Sequence, residues 1–114
     1  NDNRRLAAPA SLDGGLTSGQ QEDFLAHPTA AASKLLTILD NAEYILAIEL
    51  MAAAQAHDFL VSEGTRAPGT DRLYTVVRSR VPLYGDDRPL NADMESLRDL
   101  IAQTTPPADS ETGA

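Results

Sequence analysis

From residue 28 to about residue 61 the chain is rich in Ala, Leu, Ile, Met, Glu and Gln, with no glycine and no proline after Pro28. That composition favours helix throughout, and Pro28 suits a first turn, where its missing N–H has no intrahelical partner to lose. Leu35, Leu39, Ala42, Leu46, Leu50, Ala53 and Leu60 fall on one stripe of helical spacing. Leu36, Ile45, Ile48 and Met51 widen that stripe, and a helix apolar over most of its circumference is buried on several sides. Length then matters. About 34 helical residues make a rod of roughly 50 Å, whereas a compact domain of about 100 residues has a radius of gyration near 13 Å. The rest of a 114-residue chain cannot wrap such a rod. The pattern predicts that the helix is covered by other chains or by a further part of its own polypeptide.

Beyond it, Gly64, Pro68 and Gly69 break the periodicity. A second helix is predicted over about 71–80, capped by Thr70, with Leu73, Val76 and Val77 inward. Pro82, Gly85 and Pro89 form the next connection, and a third helix over about 92–103, after an Asn91 cap, aligns Met94, Leu97 and Ile101. Residues 1–19, with Pro9 and Gly14-Gly15, read as irregular, and a short helical turn is expected around Gln20–Ala26. Pro106-Pro107 ends the structured region, leaving a small, polar, acidic tail expected to be disordered. The organisation is an irregular lead-in over 1–27 carrying a polar segment, a helical region over 28–103 and a tail over 104–114. There is no internal repeat and no alternating strand pattern, so the fold class is all-α.

Charge narrows the partners. The formal net charge is -8, with a pI near 4.5, which disfavours phosphate backbones and anionic lipid without a concentrated basic stripe. Arg4-Arg5 and the Arg78/Arg80 pair are isolated and read as solvated or paired charges. Neither nucleic acid nor membrane is expected as a partner. The absence of cysteine excludes disulfides and thiolate metal sites. Glu49, Gln55 and His57 interrupt the longest apolar run, and the N-terminus lacks the apolar core of a secretory signal, so a cytoplasmic location is the default expectation.

Few residues carry chemistry. Gln20-Gln21-Glu22-Asp23-Phe24 places a dense polar cluster just before the long helix. By itself it reads as a polar helix start, where acids complement the dipole. Glu22 or Asp23 with His27 has helix-face spacing but lacks the further ligands of a metal site. His57-Asp58 reads as a paired helix terminus rather than a proton relay. Glu49, among Ile45, Ile48, Leu50 and Ala53, is a carboxylate that burial obliges to find a partner. It is expected to bond to a neighbouring helix in a structural role.

Order and spacing add to this. The run from Thr17-Ser18-Gly19 through Gln21-Glu22-Asp23, followed by Ala47-Ile48-Glu49 and Ala53-Ala54-Gln55-Ala56-His57-Asp58, resembles the C-terminal part of histidine ammonia-lyases in the aromatic amino acid lyase family. Those enzymes carry Ser-Ala-Asn-Gln-Glu-Asp-His before a long helix with Leu-Ala-Ile-Glu and Ala-Ala-Gln-Ala-x-Asp. Pro9-Ala10-Ser11-Leu12-Asp13 fits the family's lead-in, and Val77 to Pro82, Asp86-Asp87-Arg88 and Asp93-Met94-Glu95 fit its closing helices. Family members are several times longer, so the chain looks like the last portion of such an enzyme.

The resemblance implies a fumarase/aspartase-like helical bundle, a homotetramer-based assembly in which several subunits build each active site, and elimination of ammonia from an aromatic amino acid, histidine first, to give urocanate. It implies a methylideneimidazolone electrophile made from an Ala-Ser-Gly triad. No such triad occurs here, so the group and the family's tyrosine base belong to a complementary N-terminal portion, and the isolated chain is expected to be inactive. The resemblance places Gln21 and Glu22 in the substrate site, with Glu22 in the position that binds the imidazole and Gln21 orienting substrate or cofactor. A buried carboxylate accepting a charge-assisted bond from an imidazole N–H discriminates against a plain phenyl ring. Phe24 stands where the family has His, and Leu25-Ala26-His27 where it has Val-Ser-Met. A phenylalanine or tyrosine lyase portion, a 2,3-aminomutase portion and a noncatalytic helical oligomerisation module are the alternatives.

Overall fold

The structure is a computed structural model of the chain, and it describes residues 1–13, 15, 19, 26–60 and 66–104. Helix α1 spans Asp2–Leu6, a 3-10 turn spans Ala10–Asp13, and three helices follow: α2 at Pro28–Phe59, α3 at Pro68–Arg80 and α4 at Asn91–Thr104. There is no strand among the described residues. Two compact units are present, Asn1–Ala42 and Glu43–Ala114. The first contains two short helical turns in a stretch whose Pro and Gly content predicts irregular structure. Within it Lys34 donates to the Ala8 carbonyl, and Asn41 Nδ2 donates to Asn3 Oδ1 at 2.9 Å. These polar ties hold the segment, since none of its described residues is fully buried.

Helix α2 starts at Pro28, as the sequence predicts. Its predecessor His27 is left-handed, with φ 48°, and its carbonyl accepts the Ala31 N–H at 3.0 Å. A positive φ is uncommon outside glycine, and His is among the residues that tolerate it. Helix α3 begins earlier than predicted. Pro68 occupies the first turn behind Ala67, which makes no side-chain cap bond. Thr70 is therefore inside the helix rather than its cap, and the Ala67 carbonyl takes the first bond, from Asp71 N–H at 2.9 Å. Asn91 is likewise helical, with the Leu90 carbonyl accepting from Met94 N–H at 3.0 Å.

The core of the second unit consists of Ala47, Met51, Ala54, Val77, Val81 and Leu97. Leu97 makes the predicted α4 stripe with Met94 and Ile101 beside it. On α3 only Val77 of the three predicted residues is buried, and Leu73 and Val76 stay 49% and 43% exposed. On α2 the inward face is not the leucine stripe but the one carrying Ala47, Met51, Ala54 and Gln55. Small side chains allow close helix approach, since interaxial distance follows the side chains at the contact. Leu35, Leu39 and Leu46 are about half exposed.

Glu49 differs from its expectation. It is exposed in this chain, because it lies two residues from both Ala47 and Met51, roughly 200° round the helix from each. The neighbouring helix that would bond it is not α3 or α4.

Three ion pairs involve α4. Arg98 reaches Glu43 at 3.3 Å and Glu95 at 3.7 Å, and Arg88 reaches the buried Asp93 at 2.5 Å. Asp93 also sits in the first turn of α4, where a carboxylate meets the positive end of the helix dipole.

Candidate functional site

The predicted site residues Gln21 and Glu22 lie outside the described residues, as do Asp23 and Phe24. What the structure describes is the frame behind them: the left-handed His27 and the rigid start of α2. Of the Glu22, Asp23 and His27 set, only His27 is described.

The densest polar cluster among the described residues joins the end of α2 to α3. Asp58 accepts from the Tyr74 hydroxyl on one carboxylate oxygen and from the Arg78 guanidinium on the other. Arg78 also donates to the Gln55 side-chain oxygen at 3.3 Å and the Val81 carbonyl at 3.2 Å. Gln55 Nε2 donates to the Tyr84 carbonyl at 2.8 Å. Arg66 stacks on the Tyr74 ring, its guanidinium carbon 3.7 Å from the centroid, and pairs with Asp71 at 3.0 Å. His57 meets the same ring edge-on, centroids 5.6 Å apart. The Tyr74 hydrogen bond, reinforced by Arg78, holds the Asp58 carboxyl below the usual carboxylate range.

Chemically this cluster is closed. Both Asp58 oxygens are engaged, so the carboxylate serves as a clasp for helix ends, in line with the paired-terminus reading of His57-Asp58. Sequence reasoning named Asp58 but missed Tyr74, Arg66 and the bridging role of Gln55. A Gln inside an Ala-rich run on the face of Ala47 and Met51 was the available signal, because a buried amide needs partners on both its ends.

A second cluster links α2 to α4. The Tyr44 hydroxyl donates to Glu95 at 2.5 Å, accepts from Arg98 at 3.4 Å, and its ring lies under the Arg98 guanidinium at 4.7 Å. The hydrogen bond to Glu95, with some burial, raises the Tyr44 hydroxyl above its ordinary pKa. This too is a brace between helices.

Between α2 and α3 a cleft of about 80 Å³ is lined by Leu50, Ala54, Leu73 and Val77, with His57 and Thr70 its polar members. Small-molecule sites enclose roughly 300–1,000 Å³. The cleft is too small for an aromatic amino acid.

Comparison with known proteins bears on what the frame supports. A family model for aromatic amino acid lyases matches residues 1–79. Histidine ammonia-lyase of Natranaerobius thermophilus is 41% identical over 102 residues, covering 90% of this chain and 20% of that enzyme. The enzyme of the same name from Aromatoleum aromaticum is 42% identical over 101 residues, 89% of this chain and 19% of its own. The crystal structure of histidine ammonia-lyase from Trypanosoma cruzi superposes with a TM-score of 0.80 at 31% identity, over 90% of this chain and 20% of that one. The chain thus spans about a fifth of the length of the relatives it matches.

Proposed function

The chain belongs to the aromatic amino acid lyase family and shares the all-α, fumarase/aspartase-like lyase fold, and we propose that it supplies the C-terminal part of a histidine ammonia-lyase, converting histidine to urocanate and ammonia. The observation that carries this reading is the similarity to histidine ammonia-lyases over about nine-tenths of the chain, with Gln21 and Glu22 inside the matched stretch.

In this reading Glu22 accepts a hydrogen bond from the substrate imidazole N–H, and Gln21, which both donates and accepts, orients the bound molecule. The described frame favours that role: the polar segment enters α2 through the left-handed His27 and the first-turn Pro28, a rigid element on which a site can be held. A methylideneimidazolone would supply the electrophile for ammonia loss. The chain has no Ala-Ser-Gly from which to form one, so the proposal assigns it, with the base, to a complementary portion, and no step within this chain runs through it. The same reading makes the working enzyme a multi-chain, tetramer-based assembly that covers the exposed leucines of α2.

The test is Glu22→Gln in the assembled enzyme. It should lower kcat/KM for histidine at least tenfold, about 1.4 kcal/mol of transition-state binding, with helix content unchanged. Equal turnover of histidine by variant and parent removes Glu22 from substrate recognition.

A further inference from the structure

His27 departs from two local rules at once. The residue that leads into a helix ordinarily has extended backbone. So does a residue followed by proline, because the pyrrolidine ring crowds its α conformation. His27 occupies both positions, directly ahead of Pro28 at the start of α2, yet its φ is 48°. Among the described residues it is the one non-glycine residue with a positive φ. A conformation that its neighbours disfavour persists where the surrounding structure demands it, and such residues gather at functional sites. The helix side of this turn is fixed: Pro28 has a locked φ, and the His27 carbonyl accepts the Ala31 N–H at 3.0 Å. The setting of residue 27 therefore acts on the chain that enters it, through the exposed Ala26 to Glu22 five residues back. Five residues reach at most about 18 Å, and passing from the left-handed to the extended region turns φ by roughly 100° or more. At such a lever arm the conformation of one residue decides which way the polar segment leaves α2.

We propose that His27 is a positioning residue for the substrate site, its left-handed backbone rather than its imidazole aiming the segment that carries Glu22. The residue type fits that task. Outside glycine, the left-handed region is enriched several-fold in Asn, Asp and His, and His lacks the freedom of glycine to take positive and negative φ about equally. His27 thus reaches the required setting and keeps fewer alternatives open than glycine would. Precision of this kind matters to turnover, since a misplacement of about 1 Å can cost on the order of a hundredfold in rate. The inference rests on the reading of Glu22 as the partner of the substrate imidazole and adds to it the element that directs the carboxylate.

The test is a substitution series in the assembled enzyme, read as kcat/KM for histidine, with helix content and sedimentation checked for each variant. His27→Asn and His27→Gly, which accept a left-handed backbone, should stay within about threefold of the parent. His27→Val, whose branched side chain makes that region a genuine outlier, should lose at least tenfold. Because Asn and Gly both lack the imidazole, a similar loss in all variants overturns the backbone role, and full activity in His27→Val overturns it equally. If His27→Val does not assemble, His27→Ala and His27→Gly differ by one methyl group and carry the same comparison: glycine should be at least threefold the more active, and equal activity overturns the proposal. On a Glu22→Gln background His27→Val should add less than threefold to the loss, because it acts through a carboxylate already removed; a further tenfold loss there refutes action through Glu22. Unchanged histidine turnover in Glu22→Gln alone sinks the underlying reading and this proposal with it, whereas a normal Glu22 effect beside an indifferent His27 series sinks this proposal only.

Discussion

Truncating Leu97 and truncating Leu46 remove the same side chain from opposite settings. Leu97 is 0% exposed and Leu46 47% exposed. Leu97→Ala deletes a side chain packed in the cluster of Ala47, Met51, Ala54, Val77 and Val81. Buried Leu→Ala changes cost the transfer energy plus a cavity term, about 2.7–5 kcal/mol. The surroundings here are small and α4 is only 14 residues long, so partial collapse is easy and the lower end applies, about 3 kcal/mol. At roughly 4–8 °C per kcal/mol for a domain of this size, the midpoint falls by about 12–24 °C. Leu46→Ala loses about half as much buried surface and leaves no cavity, so about 1 kcal/mol is expected in dilute solution. The assay is thermal unfolding followed by far-ultraviolet circular dichroism at two protein concentrations tenfold apart. Leu97→Ala should be destabilised equally at both, whereas the Leu46→Ala deficit should grow with concentration, because association buries that side chain in the parent. A Leu46→Ala deficit as large as that of Leu97→Ala in dilute solution would show the exposed face already covered within one chain.

Arg88→Met removes the partner of the buried Asp93. Because Arg88 is itself one-third exposed, the loss should be about 1–2 kcal/mol by urea titration; adding Asp93→Leu should recover part of it, and a double variant less stable than the single one refutes the pairing argument. Asp58 has a folded-state pKa below its unfolded value, set first by Tyr74 and then by Arg78. Its contribution is therefore complete above the unfolded value of about 3.9 and is lost as pH falls through the depressed folded value. Asp58→Asn should flatten that acid limb, and an acid limb identical to the parent's removes Asp58 as its source.

The long helix was legible because its ends are marked by Pro28 and by the Gly64 to Gly69 breakers, and because nothing between interrupts helix propensity. The all-α class and the need for outside cover followed from the same stretch. Its inward face was not legible. With apolar residues on nearly every side, the pattern has no single direction, and the leucine stripe outweighs alanines in any hydrophobicity reading. Packing chose otherwise: the face of Ala47, Met51, Ala54 and Gln55 is the buried one, and its apolar members share a core with Val77, Val81 and Leu97. Glu49 followed that reversal from inside to outside. The Thr70 cap failed for a local reason, since Pro68 can begin a helix three residues sooner without losing a hydrogen bond. The polar segment holding Gln21 and Glu22 was found by resemblance rather than by periodicity, because Gln-Gln-Glu-Asp alone is an ordinary helix start.

The tie between Lys34 and the Ala8 carbonyl has a chemical corollary. Lys34 is the chain's one lysine, so acylating reagents, reductive methylation and amine-directed crosslinkers all have a single side-chain target. An ammonium held by a carbonyl must release it and lose a proton before it can react. The rate at which this one amine is modified therefore reports how often the tie between Lys34 and the Ala8 carbonyl is open, at the edge of the helix that follows Gln21 and Glu22 in the chain.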